Sequence, residues 1–354
     1  MKKRWQDENG TWFYTNGKDV TKRLLVNPET GEPYKENQVI ESDCKFKGKV
    51  FLQYRYDRPL SMYDKDYWGV VCKVVAKELP RDVSGYKIPT PAVISFSGGR
   101  TSAFMLKQIL NAYGGKLPKD IHVCFANTGK ELPETLEFVH QCEEMWDIDI
   151  TWLELQINDE TPVWSQKVVN YETASREGEP FDELIIKMQM LPNLHKRVCT
   201  IELKIKPIER YMQSLGYKEW YSVLGLRYDE PRRVMDSKDG KHRYINICPM
   251  YDEKHTNEDV LEFWRKNNFD LQIPTVNGKA AAGNCDLCFL KGTATTLNLM
   301  HEKPELADWW IEKEVIMERT FRNNRPNYIK LLDLSKEKPK DYIDDETFTC
   351  FCHD

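Results

Sequence analysis

Ala92-Val93-Ile94-Ser95-Phe96-Ser97-Gly98-Gly99-Arg100-Thr101-Ser102 joins a short apolar run to a glycine pair and a hydroxyl-rich turn. Ala103-Phe104-Met105-Leu106-Lys107-Gln108-Ile109-Leu110 follows with helical spacing of its apolar positions. The order is therefore buried strand, tight turn, helix. Gly98 and Gly99 let the backbone turn and approach a ligand with no Cβ in the way. The start of the helix offers unpaired N–H groups and the positive end of its dipole. Together these features make a cradle for an anion. Ser97, Thr101 and Ser102 add hydroxyl groups to it, and Arg100 adds a charge. The Gly-Lys-Ser/Thr ending of a Walker A loop is absent, and so is Gly-x-Gly-x-x-Gly, so neither a P-loop nor a dinucleotide fingerprint is present.

Working outward, Ile121-His122-Val123-Cys124-Phe125-Ala126 reads as a second strand, residues 131–146 as a helix and residues 148–153 as a third strand. Strands alternating with helices predict a parallel sheet with crossover helices, an α/β fold of the doubly wound type. Residues 156–196 are polar and irregular in pattern and read as a helical insertion. A helix is expected at 205–215, with Pro207 near its start. A strand follows at 220–226, and further helices at 257–267 and from 293 to 300. Lys336-Glu337-Lys338-Pro339-Lys340-Asp341 reads as a charged linker to the tail Phe348-Thr349-Cys350-Phe351-Cys352-His353-Asp354. Residues 1–88 differ: turn signals such as Thr15-Asn16-Gly17 and Asn27-Pro28-Glu29-Thr30-Gly31 separate short β-prone runs. The expected division is a β-rich N-terminal extension at 1–88, an α/β domain at 89–292 and a helical C-terminal region with a cysteine-bearing tail at 293–354.

The chain has 354 residues, 40% hydrophobic and 30% charged, which suits a folded protein with a sizeable core. Its net charge of −5 carries no global signature of nucleic-acid binding, although His195-Lys196-Arg197 and Arg227, Arg232 and Arg233 form local basic patches. No signal peptide is legible at the start and no run is apolar enough to cross a membrane, so a cytoplasmic protein with no membrane partner is expected. Its ten cysteines then read as core thiols, metal ligands or redox groups rather than disulfides.

Ser97 to Ser102 resembles the Ser-Gly-Gly-x-x-Ser loop of the PP-loop ATP pyrophosphatases. Asn127-Thr128-Gly129-Lys130-Glu131-Leu132-Pro133-Glu134-Thr135 resembles the Asp-Thr-Gly-x-x-Phe/Leu-Pro-Glu-Thr segment of the phosphoadenosine phosphosulfate (PAPS) reductases, with Asn127 in place of the acid. Arg197-Val198-Cys199-Thr200-Ile201-Glu202-Leu203-Lys204-Ile205-Lys206-Pro207 is similar to an Arg-x-Cys-Thr-x-x-Leu-Lys-x-x-Pro segment of iron–sulfur relatives, among them the DNA-phosphorothioation sulfurtransferases. Gly225-Leu226-Arg227-Tyr228-Asp229-Glu230-Pro231-Arg232-Arg233 resembles the family's Gly-Ile-Arg-x-Asp-Glu-x-x-Arg stretch. The four motifs occur in family order and the resemblance covers residues 92–292. It implies an adenine nucleotide, ATP or a relative, at the carboxyl ends of the strands. Ser97, Gly98, Gly99, Arg100, Thr101, Ser102, Asn127, Thr128, Gly129, Arg197 and Arg233 are its expected contacts, with Mg2+ accompanying ATP. Arg227 and Lys204 are the expected charge-stabilising groups of the reaction.

Asn284-Cys285-Asp286-Leu287-Cys288 points two thiols at one centre. With Cys199, the spacing resembles that of cluster-bearing adenylylsulfate reductases, which implies a [4Fe-4S] cluster. Cys350 or Cys352 could supply a fourth ligand, with Cys352 the expected one. Three ligands could instead leave one iron open for sulfide, and a structural zinc is the metal alternative. Cys350 with His353 repeats the Cys-x-x-His spacing of the reductases' mobile catalytic tail, so Cys350 is also a candidate nucleophile. Cys44, Cys72, Cys124, Cys142 and Cys248 read as core thiols.

Three functions are compatible with these residues. The resemblance implies foremost an ATP-dependent sulfur-transfer enzyme that adenylates an acceptor, nucleic acid being one candidate, and takes sulfur from a donor. The second is a PAPS or adenylylsulfate reductase that works through Cys350 and a thioredoxin-like reductant. The third is a non-catalytic nucleotide-binding module with a structural metal.

Overall fold

A computed structural model of the chain describes residues 85–158, 164–237, 242–273 and 285–338 in full, and elsewhere only the backbone of short strands. The chain divides into two compact units, Met1–Val83 and Ser84–Asp354. In the first, β1 (Arg4–Gln6), β2 (Trp12–Tyr14) and β3 (Arg23–Leu24) form an antiparallel sheet. β4 (Val39–Glu41), β5 (Lys49–Leu52) and β6 (Cys72–Val75) form another.

The second unit is an α/β fold built on a six-stranded sheet. The motif stretch forms β7 (Ala92–Phe96) and α1 (Arg100–Ala112). β8 (Ile121–Ala126), α2 (Pro133–Trp146) and β9 (Thr151–Gln156) follow. Next come β10 (Ser165–Val169), α3 (Glu179–Met188), α4 (Lys206–Ser214), β11 (Trp220–Val223), α5 (Pro231–Ser237) and β12 (Tyr244–Ile247). The remainder holds α6 (Pro249–Asp252), α7 (Asn257–Arg265), the short hairpin of β13 (Thr275–Val276) and β14 (Lys279–Ala280), α8 (Thr293–Glu302), α9 (Ala307–Ile316) and α10 (Tyr328–Glu337).

The strand order is β10-β9-β8-β7-β11-β12, and every neighbouring pair is parallel except β10 with β9. Alternation along the strands divides the core. Val93, Cys124, Leu153 and Trp220 pack on one face with Met212 of α4. Ile94, Phe96, Val123, Phe125 and Trp152 turn to the other, with Leu106 and Ile109 of α1 and Leu136 and Val139 of α2. Burying each such side chain contributes about 1.5–3 kcal/mol. Helices thus cover both faces, as the sequence predicts.

Three expectations need correction. The stretch 156–196 is not only helical: it contributes the antiparallel edge strand β10 as well as α3. The strand expected at 148–153 begins at Thr151, because Asp147 ends α2 in a left-handed conformation, φ 50°, and a short connector follows. Lys336 and Glu337 are the last turn of α10, not a linker. The tail with Cys350, Cys352 and His353 lies outside the described residues, as do Cys44 and all but the backbone of Cys72. Cys124, Cys142 and Cys248 are buried and not in disulfides, as expected of core residues. Among the described residues no helix is long and apolar enough to cross a membrane.

Candidate nucleotide site and cysteine cluster

The chain runs from β7 outward through β8 to β9, then returns to place β11 on the other side of β7. In an open α/β sheet, ligands bind outside the carboxyl ends of the strands where the order reverses in this way. The glycine loop after β7 and the arginine loop after β11 both stand there. Arg227 Nη1 donates to Thr101 Oγ1 at 3.1 Å and joins them.

Gly98 has φ +77°, and a Cβ there would lie 2.8 Å from Thr135 Cγ2 and 3.1 Å from Val139 Cγ2. Only glycine fits. Gly99 differs: a Cβ would meet nothing closer than Ser97 Oγ at 3.6 Å, so the space above it is open. Gly99 is the N-cap of α1, with no side-chain cap and no acidic residue in the first turn. The first amides of the helix are therefore left to an outside acceptor, and their dipole favours an anion. Ser97 and Ser102 share a hydrogen bond, Oγ to Oγ 2.9 Å, and Ser102 Oγ donates to Gly99 O at 3.0 Å, which stiffens the turn. These features fit a phosphate group.

Arg100 turns away from the cradle. Its Nε and Nη2 each donate to a different carboxylate oxygen of Asp270 at 2.7 Å, and Nη2 also donates to Leu271 O at 2.9 Å. Its contribution is to anchor the segment after α7 rather than to carry free charge. Arg227 is half-buried, held by Asp229 Oδ1 at 3.0 Å and Glu230 Oε2 at 3.4 Å. Arg233 pairs with Glu230 Oε1. The carboxylates aim the guanidinium groups and offset part of their charge.

The loop after β8 is fully buried at Asn127. Asn127 Nδ2 donates to Glu154 Oε1 at 2.7 Å and to Ser175 O at 2.9 Å, and Asn127 Oδ1 accepts from Gly129 N at 3.2 Å. Glu154 also accepts from Ser175 N at 2.7 Å and Ser175 Oγ at 3.0 Å. An aspartate at position 127 would set one carboxylate against another. This accounts for asparagine where the resemblance puts an acid, and it makes Asn127 a brace of the loop.

Thr128 leads to the cysteines. Its N donates to Glu131 Oε2 at 2.8 Å, and its Oγ1 lies 3.4 Å from Cys285 Sγ. Lys204 Nζ reaches Glu131 Oε1 at 3.8 Å, brought inward by a π-helical stretch, Thr200–Ile205, that follows Cys199. The backbones of Glu131 and Cys285 form an antiparallel bridge, and Asp286 N donates to Lys130 O at 2.7 Å. Lys130 Nζ and Asp286 Oδ2 make a buried ion pair at 3.1 Å. Trp310 Nε1 donates to Asp286 Oδ1 at 2.8 Å. Burial pushes the Cys285 thiol well up, the Glu131 carboxylate and the neighbouring Cys199 push it further, and Lys204 and Thr128 oppose them.

Cys199, Cys285 and Cys288 are all buried. Cys199 and Cys285 are close enough for their charges to interact, and Cys288 N donates to Cys285 O at 3.4 Å. Among the described residues no three Cys, His, Asp or Glu side chains gather as a metal site. Cys352, the expected fourth ligand, lies outside the described residues. Arg197 precedes this group in half-buried surroundings. The sequence reading passed over Lys130, Glu131, Glu154 and Asp286. The first two lie within the quoted Asn127–Thr135 motif, and Asp286 lies between the paired cysteines.

Residues 91–272, more than half the chain, match the model of the phosphoadenosine phosphosulfate reductase domain. The chain belongs to that family. This is a family of enzymes that handle an adenine nucleotide, in keeping with the loop and strand order. The uncharacterized nin region protein ORF290 of Escherichia phage lambda is 35% identical over 57% of this chain and 66% of its own length. Two uncharacterized proteins of Methanocaldococcus jannaschii match over only 46% and 44% of their own lengths. The chain thus spans less than two thirds of these relatives. Among solved structures, PAPS reductase from Candida auris in its phosphate complex shares 14% identity at a TM-score of 0.33, over 54% of this chain and 83% of its own. The U34-tRNA thiolase NcsA of Methanococcus maripaludis with its [4Fe-4S] cluster shares 14% identity at a TM-score of 0.34, over 70% and 71%. At such scores neither likeness bears on the function of this chain.

Proposed function

We propose that this family member is an ATP-dependent sulfur-transfer enzyme. The observation that carries the reading is the Arg227–Thr101 contact across the switch point, beside a helix start left without cap or acid. An acceptor oxygen attacks the α-phosphorus of ATP. The bond from that phosphorus to the bridging oxygen breaks, and pyrophosphate leaves. The amides of α1, Ser97 and Ser102 hold the leaving phosphates, and Arg227 offsets the charge that develops on them. Mg2+ accompanies the nucleotide as its counter-ion. Hydrosulfide delivered by a donor then attacks the activated carbon. AMP departs with the electron pair of the broken C–O bond. Cys285 is the sulfur-bearing side chain in contact with the loop of Thr128. Burial holds its thiol protonated and Glu131 adds to that, while Lys204 and Thr128 oppose them.

Isothermal titration with ATP and with PAPS tests this reading. ATP should bind, and Arg227→Ala should weaken it by about tenfold or more, the loss expected for a charge-assisted hydrogen bond. Binding of PAPS with no binding of ATP would replace the reading with sulfonucleotide reduction through the tail thiol of Cys350.

A further inference from the structure

A cavity of about 680 Å³ lies outside the crevice just described, between the loop at 190–195 and the loop at 318–324. Its volume is in the range that holds a nucleotide-sized ligand. Met190 and Leu194 give it apolar surface, Leu191 and Phe321 being buried beneath, and Asn193, Asn323, Asn324, Arg319, Arg322 and His195 line it as well. Glu318 is the single acid among the described residues lining it.

Both loops are held in place from within. Glu314 is buried and accepts from Phe321 N at 3.0 Å and Tyr328 N at 2.8 Å, which pins the second loop at both ends. Asn193 Oδ1 accepts from His195 N and Lys196 N, each at 3.0 Å, which closes the first. The amide oxygens are therefore already engaged. Asn193 serves its own turn, Asn323 Oδ1 accepts from Thr320 Oγ1 at 3.1 Å, and Asn324 Oδ1 accepts from Arg322 Nε at 2.9 Å. Each asparagine keeps its NH2 to donate. With the guanidinium of the exposed Arg319, the polar lining is a set of donors with a net positive charge. It calls for a ligand rich in acceptors and negatively charged, with some apolar surface.

We infer that this cavity binds a phosphorylated nucleoside unit, either a free nucleotide or one unit of a nucleic-acid strand. Phosphate oxygens suit Arg319, the carbonyl edge of a base suits the asparagine amides, and the base ring suits the apolar surface of Met190 and Leu194. The second loop is tied to the segment that follows the paired cysteines. Arg322 Nη1 donates to Phe289 O at 3.5 Å and to Lys291 O at 3.4 Å, just beyond Cys288. Leu194 shortly precedes Cys199 in the chain. A ligand seated here would lie near the segment that follows Cys288. Its role as the sulfur acceptor rests on the sulfur-transfer reading; its binding does not.

The test uses the full-length chain. Fluorescence anisotropy with labelled oligothymidylate and oligouridylate measures the strand, and calorimetry with uridine monophosphate measures the free nucleotide. Both probes present two base carbonyls and phosphate. Arg319→Glu should weaken the bound probe roughly tenfold or more and Asn323→Ala several-fold. Both residues are exposed, so the fold should survive, and ATP affinity should be unchanged. Lys119→Glu, an exposed residue ahead of β8 at the opposite end of the sheet, should change probe binding by no more than about twofold. Strand binding identifies a nucleic acid as the source, and binding of the monophosphate alone identifies the free nucleotide. Failure of every probe to bind, or wild-type affinity in both cavity variants, overturns the inference. ATP binding without probe binding sinks the cavity alone, whereas probe binding without ATP binding sinks the sulfur-transfer reading and leaves the cavity standing.

Discussion

The two ends of the candidate site are built on opposite principles. The glycine loop after β7 is open: Gly99 faces empty space, the helix behind it lacks a cap, and its amides await a partner. The cysteine turn is closed. Cys285 and Cys288 are buried, the backbone of Cys285 is bridged to Glu131, and an ion pair between Lys130 and Asp286 locks the turn to the loop after β8. An anion can enter the first region with no rearrangement. The second must open, or be completed from outside the described residues, before a second substrate or a metal reaches its sulfurs. The loop of Thr128, which touches Cys285, is the physical link between them.

The largest effect should come from breaking the closed end. Asp286→Ala leaves the Lys130 charge buried with no carboxylate and removes the acceptor of Trp310. Losing one partner of a buried pair costs about 3–5 kcal/mol. Urea unfolding followed by tryptophan fluorescence measures it. A loss below about 1 kcal/mol would mean that the turn is not locked in this way, and the contrast would fail.

At the open end the two glycines should separate structure from binding. Gly98→Ala forces a side chain into a positive φ and against Thr135, at a cost of about 1–3 kcal/mol. Gly99→Ala meets no such obstacle and should change stability by less than about 1 kcal/mol. Its methyl group would nonetheless project into the space where phosphate would sit, so ATP affinity should fall while the unfolding midpoint holds. Equal stability losses in the two variants would erase the distinction.

The sequence makes the open end far easier to read than the closed one. The strand–turn–helix at 92–112 is local, so composition and spacing expose it. The parallel order of β7, β8 and β9 follows from the alternation of strands and helices. β10 escapes because Ser165, Gln166 and Lys167 are polar and only one side of this edge strand is paired. β12, half-buried along its whole length, gives no clean apolar run either. The pairs Lys130–Asp286 and Glu131–Lys204 join residues far apart in the chain, so no local pattern announces them. The cysteine spacing suggests a cluster, but spacing does not announce that Cys285 packs against Thr128 and bridges Glu131 in a buried turn.

A smaller effect tests the brace between the two ends. Asn127→Asp should set a carboxylate where Asn127 Nδ2 now meets Glu154 at 2.7 Å. Two like charges so close raise the proton affinity of the pair above that of the unfolded chain. The folded state then binds more protons than the unfolded one, so the loss should be greatest near neutral pH and recede as pH falls toward the carboxylate range. About 1–3 kcal/mol is expected at neutral pH, the cost of a buried group left without its hydrogen bond. Unfolding at stepped pH measures it, and a loss that deepens on acidification would contradict the assigned contact.

The smallest effect concerns Cys285 itself. Its thiol is held protonated by burial first and by the Glu131 carboxylate second. Glu131→Gln removes the second cause and leaves the first, while Lys204 loses its nearest anion and favours the thiolate more. Alkylation of Cys285 by iodoacetamide at mildly alkaline pH, followed by mass spectrometry of the peptide, should therefore quicken by only a few-fold, because the remaining desolvation still opposes the thiolate. Measuring iron, zinc and acid-labile sulfide in the same anaerobic samples adds a second discrimination. Slow alkylation with no metal fits a closed turn of free thiols. About four irons with matching sulfide would protect Cys285 in both proteins and require the sulfurs to regroup around a cluster, so the closed end would then be a resting arrangement rather than the working one.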